Sequence, residues 1–143
     1  MKKTKARQGI IKAFNAAIEG IIYTFKSERN MKIHYCLAVI ILVASLFLDL
    51  TRIEMIFLVF AISLVVIAEM FNTAIEKTID MVTDEYHPLA KIAKDVAAGG
   101  VLIAALNSVV VGYMIFYDKI TDNKLFSKEQ THEKINSRNI SPR

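Results

Sequence analysis

The sequence predicts an all-α integral membrane protein, with three transmembrane helices behind an amino-terminal interfacial amphipathic helix. Three observations carry that prediction. Apolar residues make up 54% of the 143 positions, and the mean hydropathy of +0.39 lies above ordinary globular usage. Apolar stretches at about 31–50, 53–82 and 97–117 can each cross the roughly 30 Å hydrocarbon core as a helix. The link between the first two, DLTR, is so short that the second helix must return antiparallel to the first.

The amino end opens with MKKTKAR, four positive charges ahead of Ile10, Ile11, Phe14, Ala17, Ile18, Ile21, Ile22 and Phe25. Apolar residues at that spacing share one helical face, and a basic lead beside such a face suits a helix lying in the membrane interface over about 8–26. A core-facing helix of a soluble protein would show the same spacing. KSERNMKIH, from Lys26 to His34, then breaks the pattern. Glu28 stands there among Lys26, Arg29 and Lys32, and spacing alone reads it as a solvated acid loosely paired with its neighbours.

Ile53 to Ala68 is apolar except for Glu54 and Ser63, and the helix is expected to run on unbroken to Val82. A helix of about 30 residues is about 45 Å long, so its carboxyl half projects beyond the bilayer core. TDEYHP ends it, because Pro88 disfavours helical geometry at His87 and lacks an amide donor. From Leu89 the apolar pattern resumes. Ala97, Ala98, Gly99, Gly100, Ala104 and Ala105 offer small surfaces for close helix approach. Residues 1–120 form the membrane domain, and 121–143, polar and mixed in charge, form a flexible tail.

The net charge of +4 could serve nucleic acid, but the basic residues lie beside apolar spans, which favours anionic headgroups. Eight lysines and arginines precede Tyr35, and Lys77, Lys91 and Lys94 flank the second link, against Arg52 alone in the first. That asymmetry places the amino end and the 69–95 region in the cytoplasm; the six basic residues of the tail argue the other way. No cleavable signal peptide is expected. Cys36 is alone, which excludes an intramolecular disulfide and suits a core position.

Chemistry concentrates between Glu69 and Asp95, where 27 residues carry six carboxylates, an Asn, a His and three lysines. On a helix, Glu69, Asn72, Glu76 and Asp80 fall within an arc of roughly 80°, with Phe71, Ala74, Ile75, Ile79 and Val82 on the opposite side. Glu69 follows ISLVVIA, so an ionisable group sits at or near hydrocarbon depth, which is costly unless it faces a bundle interior or a wet cavity. Two readings follow. The stripe is either a polar bundle interior that fixes helix register, or a site where hard oxygen ligands, with Glu28 reaching in from the membrane surface, hold magnesium for phosphoryl transfer. In the second reading Glu69, the deepest, is the natural base for a lipid hydroxyl, and Lys94 either holds phosphate or forms a surface ion pair with Asp95. A non-enzymatic membrane assembly or a cation path would use the same stripe.

AEMFNTAIEKTIDMVTDEYHPLAKIAKDVAAGGVL, with YTFKSERNMKIH upstream, resembles the signature of the small prokaryotic diacylglycerol kinase family. The pattern is E-x-x-N-[ST]-A-I-E-x-x-x-D, then EYH, then A-K-D, and the likeness covers about residues 8–117. DEYHPLAKIAKD and FKSERN are most similar to the Gram-positive branch, whose members include undecaprenol kinase. The resemblance implies a homotrimer of three-span subunits, with sites at subunit interfaces and facing the cytoplasm, transferring the γ-phosphoryl group of ATP to a membrane lipid alcohol. It implies Glu69 as catalytic base and Glu28 and Glu76 as magnesium ligands, against the surface-acid reading of Glu28. It assigns Glu76, Glu85, Tyr86, His87, Lys94 and Asp95 to the nucleotide, and Asn72 and Asp80 to the polar active-site network. Gly9 and Ala16 depart from the diacylglycerol-kinase members, where an arginine and an aromatic residue would match better. The expected acceptor is therefore undecaprenol, giving undecaprenyl phosphate, with diacylglycerol as the alternative.

Overall fold

A computed structural model of the chain describes residues 2–83 and 85–139, with side chains over 9–83 and 85–121. The side chains of the basic lead and of the tail beyond Thr121 lie outside the described residues. Four helices follow in order: α1 Lys2–Ser27, α2 Arg29–Ser45, α3 Arg52–Val82 and α4 Pro88–Asn139. Among the described residues the architecture is all-helical, as predicted. Two helices are long and apolar enough to cross a membrane, α3 and the Pro88–Thr121 part of α4.

Glu28 separates α1 from α2. Its backbone is extended (φ −98°, ψ 127°), its amide donates to the Thr24 carbonyl at 3.0 Å, and Ser27 Oγ donates to its carboxylate at 3.2 Å. Phe25 packs edge-on against Tyr35 across the corner, with centroids 5.2 Å apart. Among the described residues the apolar face of α1, including Ile10 and Phe14, is exposed.

The α-helical part of α2 stops at Ser45, short of the predicted end at 50. There the amides of Leu46, Phe47 and Leu48 turn to carbonyls three residues back, at 3.1–3.3 Å, the tighter pattern common where helices end. The DLTR link then launches α3 through a capping box. Thr51 Oγ1 accepts from the Glu54 amide at 3.3 Å, while Glu54 Oε2 accepts from the Thr51 amide at 2.6 Å, satisfying two otherwise orphaned donors.

α3 and α4 pair antiparallel. Glu54 meets Lys119 at 3.3 Å at one end, and Asp80 meets Lys94 at 2.6 Å at the other. That register brings Ala104 and Ala105 level with Glu69. Ala104 is buried, so the small-residue run achieves close approach there. At Gly99 and Gly100, where the sequence suggests it equally, an added Cβ would meet nothing within 4 Å.

Beyond Thr121 the helical backbone of α4 continues to Asn139, through the stretch that composition reads as a polar tail. No Gly or Pro interrupts the chain between Gly112 and Pro142, and an established helix propagates at low cost through residues that do not break it. Pro88 occupies the first position of α4, where its missing amide is harmless.

Candidate active site

The buried seam of α3 runs through Leu58, Ala61, Val65, Glu69, Asn72 and Thr73. Apolar and polar members belong to one continuous stripe at helical period. The exposed side of the same helix carries Phe71 and Val82, so the polar face looks into the molecule and the greasy face out. That is the reverse of a water-soluble helix and the arrangement a hydrocarbon surround favours. Ile79 differs from its expected place on the greasy side: it is half-buried beside Asp80, because ten residues bring it round to the edge of the stripe.

Glu69 is the most buried ionisable side chain described, 2% exposed. Its backbone carbonyl accepts from Thr73 Oγ1 at 2.9 Å, yet its Oε2 has no hydrogen-bond partner among the described residues. It lies within electrostatic reach of His34, Glu76 and Glu28. Asn72 Nδ2 donates to Glu76 Oε1 at 2.9 Å, one turn away on the same face, while Asn72 Oδ1 also lacks a described partner. The amide therefore fixes the Glu76 carboxylate and turns its own oxygen toward the seam. Buried acceptors without partners are costly in a native structure and mark a place where a donor or cation belongs.

Glu28 enters this group from the α1–α2 corner. Although it caps α2 by position, its side chain makes no cap hydrogen bond, and its Oε1 lies 3.5 Å from Lys77 Nζ. The acids that sequence separates by more than forty positions are thus neighbours in space. Among the described residues, no three His, Cys, Asp or Glu side chains form a ready metal cage.

A second group lies at the α3–α4 turn. Asp80, Glu85, Tyr86, His87, Lys91, Lys94 and Asp95, with Ile79, Thr83 and Ala90, line an open cavity of about 400 Å³. Thr83 Oγ1 accepts from the Glu85 amide at 3.1 Å, and His87 Nδ1 accepts from the Leu89 amide at 3.3 Å, so the turn is built from the polar residues it displays. Lys94 pairs with Asp80, fourteen residues away. It does not form the predicted surface pair with Asp95, which bonds Lys91 at 2.5 Å. Asp80, expected beside Asn72, thus contributes to this outer group.

Lys77, Lys91 and Thr83 escaped the sequence reading as site residues. The i,i+4 spacing of Lys91 and Asp95 was available as a signal. For Lys77 no local pattern could reveal a partner on another helix. A third feature is an apolar cavity of about 370 Å³ between α2, α3 and α4, with Leu37, Val65, Val109, Gly112 and Phe116 in its wall and His34 at its polar end.

Residues 15–116 match the family described as prokaryotic diacylglycerol kinase. The chain belongs to that family. It is 40% identical over 109 residues to the undecaprenol kinase of Bacillus subtilis, a match covering 76% of this chain and 89% of that protein. It is 42% identical over 104 residues to a diacylglycerol kinase of Synechocystis, covering 72% of this chain and 59% of that protein. To the diacylglycerol kinase of Escherichia coli K12 it is 30% identical, over 76% of this chain and 88% of the relative. Family membership makes the protein an ATP-using lipid kinase of the membrane and sets aside a non-enzymatic assembly or cation path. The two buried orphan oxygens lie inside the matched segment.

Proposed function

We propose that this protein transfers the γ-phosphoryl group of ATP to undecaprenol, producing undecaprenyl phosphate and ADP at the cytoplasmic membrane face. The observation that carries the choice of acceptor is the 40% identity to an undecaprenol kinase along 89% of its length. Diacylglycerol is the second reading, favoured by the 42% identity to the Synechocystis protein.

In this reading Glu69 accepts the proton of the lipid hydroxyl as its oxygen attacks the γ-phosphorus in line, and the bond to the β-phosphate oxygen breaks to release ADP. Burial of Glu69 in the α3 seam keeps bulk water from the same position, so the lipid alcohol is the acceptor. Asn72 holds Glu76 in one rotamer through the 2.9 Å hydrogen bond. Magnesium fits the donor chemistry, since carboxylate and amide oxygens are hard ligands and two protein carboxylates can suffice when phosphates complete the shell. Glu28 and Glu76 would hold it, and when bound it neutralises phosphate charge.

The outer cavity takes the nucleotide. Lys94 and Lys91 offer ammonium groups to phosphate, and Glu85, Tyr86, His87 and Asp95 border the remaining volume. The apolar cavity between α2, α3 and α4 takes the first segments of the acceptor chain, because it is hydrocarbon-lined and Val65, in its wall, lies about one turn below Glu69. Gly112 tests this: a Cβ there meets nothing within 4 Å, so Gly112→Leu should fold, raise KM for the lipid and leave KM for ATP unchanged. An unchanged lipid KM would remove the acceptor from this groove.

We place the kinase domain at 1–120, with α2 and its tight turn as a third span and α1 in the interface. The subunits form a trimer with sites at their interfaces, a reading supported by the family resemblance and by the open faces at Gly99 and Gly100. The deciding experiment is labelled-phosphate transfer by purified protein in mixed micelles, with undecaprenol and diacylglycerol offered separately and together. Preferential labelling of undecaprenol is expected. Preferential labelling of diacylglycerol would move the same mechanism to the second acceptor, and labelling of neither would overturn both.

A further inference from the structure

Lys77 stands between the two polar groups and belongs to neither sequence-derived set. Its ammonium lies 3.5 Å from Glu28 Oε1, and its electrostatic neighbours are Glu28, Tyr23 and Asp80. It follows Glu76 directly, on the side of α3 that meets the α1–α2 corner. About half of the side chain is exposed, so its four-carbon stem is free to swing. Asp80, one turn further along α3, is already bonded to Lys94 at 2.6 Å. Among the described residues Lys77 therefore has one close carboxylate, and that carboxylate is a ligand in the proposed magnesium site.

A divalent ion on the Glu28 carboxylate lies within a few ångströms of the Lys77 ammonium, and the two like charges compete for it. Such an ion repels the Lys77 ammonium, whose level along α3 lies between Asp80 in the wall of the outer cavity and Glu69. Along α3, Lys77 lies about 12 Å from Glu69 and about 5 Å from Asp80 by helical rise. A polyphosphate reaching from the cavity toward Glu69 passes this level and carries the negative oxygens that best replace a lost carboxylate.

We infer that Lys77 is a phosphate-contacting residue that exchanges partners, leaving Glu28 for the nucleotide's phosphates as a divalent cation takes the carboxylate. This rests on the metal-site reading of Glu28 given above. The exchange makes Lys77 an opponent of metal binding alone and a supporter of metal–nucleotide binding. A lysine that merely braced the α1–α2 corner against α3 would support both.

The test is binding, without turnover, by the full chain in detergent micelles. Manganese alone is titrated by electron paramagnetic resonance, and a non-hydrolysable ATP analogue with magnesium by calorimetry, for the parent protein, Lys77→Met, Lys77→Arg and Glu28→Gln. Lys77→Met is expected to bind manganese alone about 2–5-fold more tightly, as loss of an exposed ion pair allows. The same variant should bind the nucleotide analogue about 10-fold more weakly, as loss of a charge-assisted contact implies. Lys77→Arg should restore analogue affinity. Weakening of both ligands in Lys77→Met would show a bracing role and overturn the exchange, and so would no change in either. If Glu28→Gln leaves manganese binding intact, the metal-site reading itself fails and the inference falls with it. Manganese binding lost in Glu28→Gln but unmoved in Lys77→Met overturns the exchange alone.

Discussion

The inner and outer polar groups share one helix and differ in how their charges are met. In the inner group, Glu69 is 2% exposed and two buried oxygens lack described partners. In the outer group, Asp80 and Asp95 each have a lysine of opposite charge on α4, and all four side chains are substantially exposed. An acid without a partner in a buried seam is poised for a proton or a cation, while an acid already paired at the surface has little left to gain. The inner group therefore suits chemistry and the outer group suits holding a soluble ligand. Position along α3 decides which, since the seam is deep at Glu69 and reaches open solvent within about three turns, at Asp80.

The largest effect should come from Glu69→Gln, which removes the base while preserving shape. Turnover should fall about 10²–10⁴-fold with binding of a non-hydrolysable ATP analogue retained; near-normal turnover would erase the contrast between the groups. Glu76→Gln comes next and should shift the magnesium titration to higher concentration while weakening ATP use. An unmoved titration would take Glu76 out of the metal site. Asn72→Ala leaves the Glu76 side chain in place but releases its 2.9 Å tether, so kcat should drop about tenfold, as loss of a hydrogen bond to a carboxylate implies. Lys91→Ala should do least: its exposed i,i+4 partner predicts no measurable change in Tm and a modest rise in KM for ATP. A kcat loss matching that of Asn72→Ala would show that the outer group takes part in the chemistry.

The polar face of the candidate site was legible because helical geometry converts spacing into faces. Glu69, Asn72 and Glu76 fall on one side of α3 in the sequence; in the structure Glu69 and Asn72 share the buried seam, and Glu76 follows one turn on, bonded to Asn72. The stop at TDEYHP and the return through DLTR were equally plain, since Pro88 and a four-residue link permit few alternatives. Periodicity assigns residues to a common face but says nothing of which partner covers it. Glu28 thus read as a surface acid from spacing alone, and Lys94 as a partner of its neighbour Asp95 rather than of Asp80.

The sequence by itself determined the all-helical class, the bounds of α3, the membrane-suited length of α3 and α4, and the clustering of acids on one face, because each follows from local pattern and length. Only the tertiary structure decided that Glu69 and Asn72 turn inward on the buried side of α3 and that Lys77 meets Glu28 at the α1–α2 corner. Those facts depend on contacts between helices far apart in the chain. The register of α3 on α4, set by Glu54 with Lys119 and Asp80 with Lys94, has no local signature.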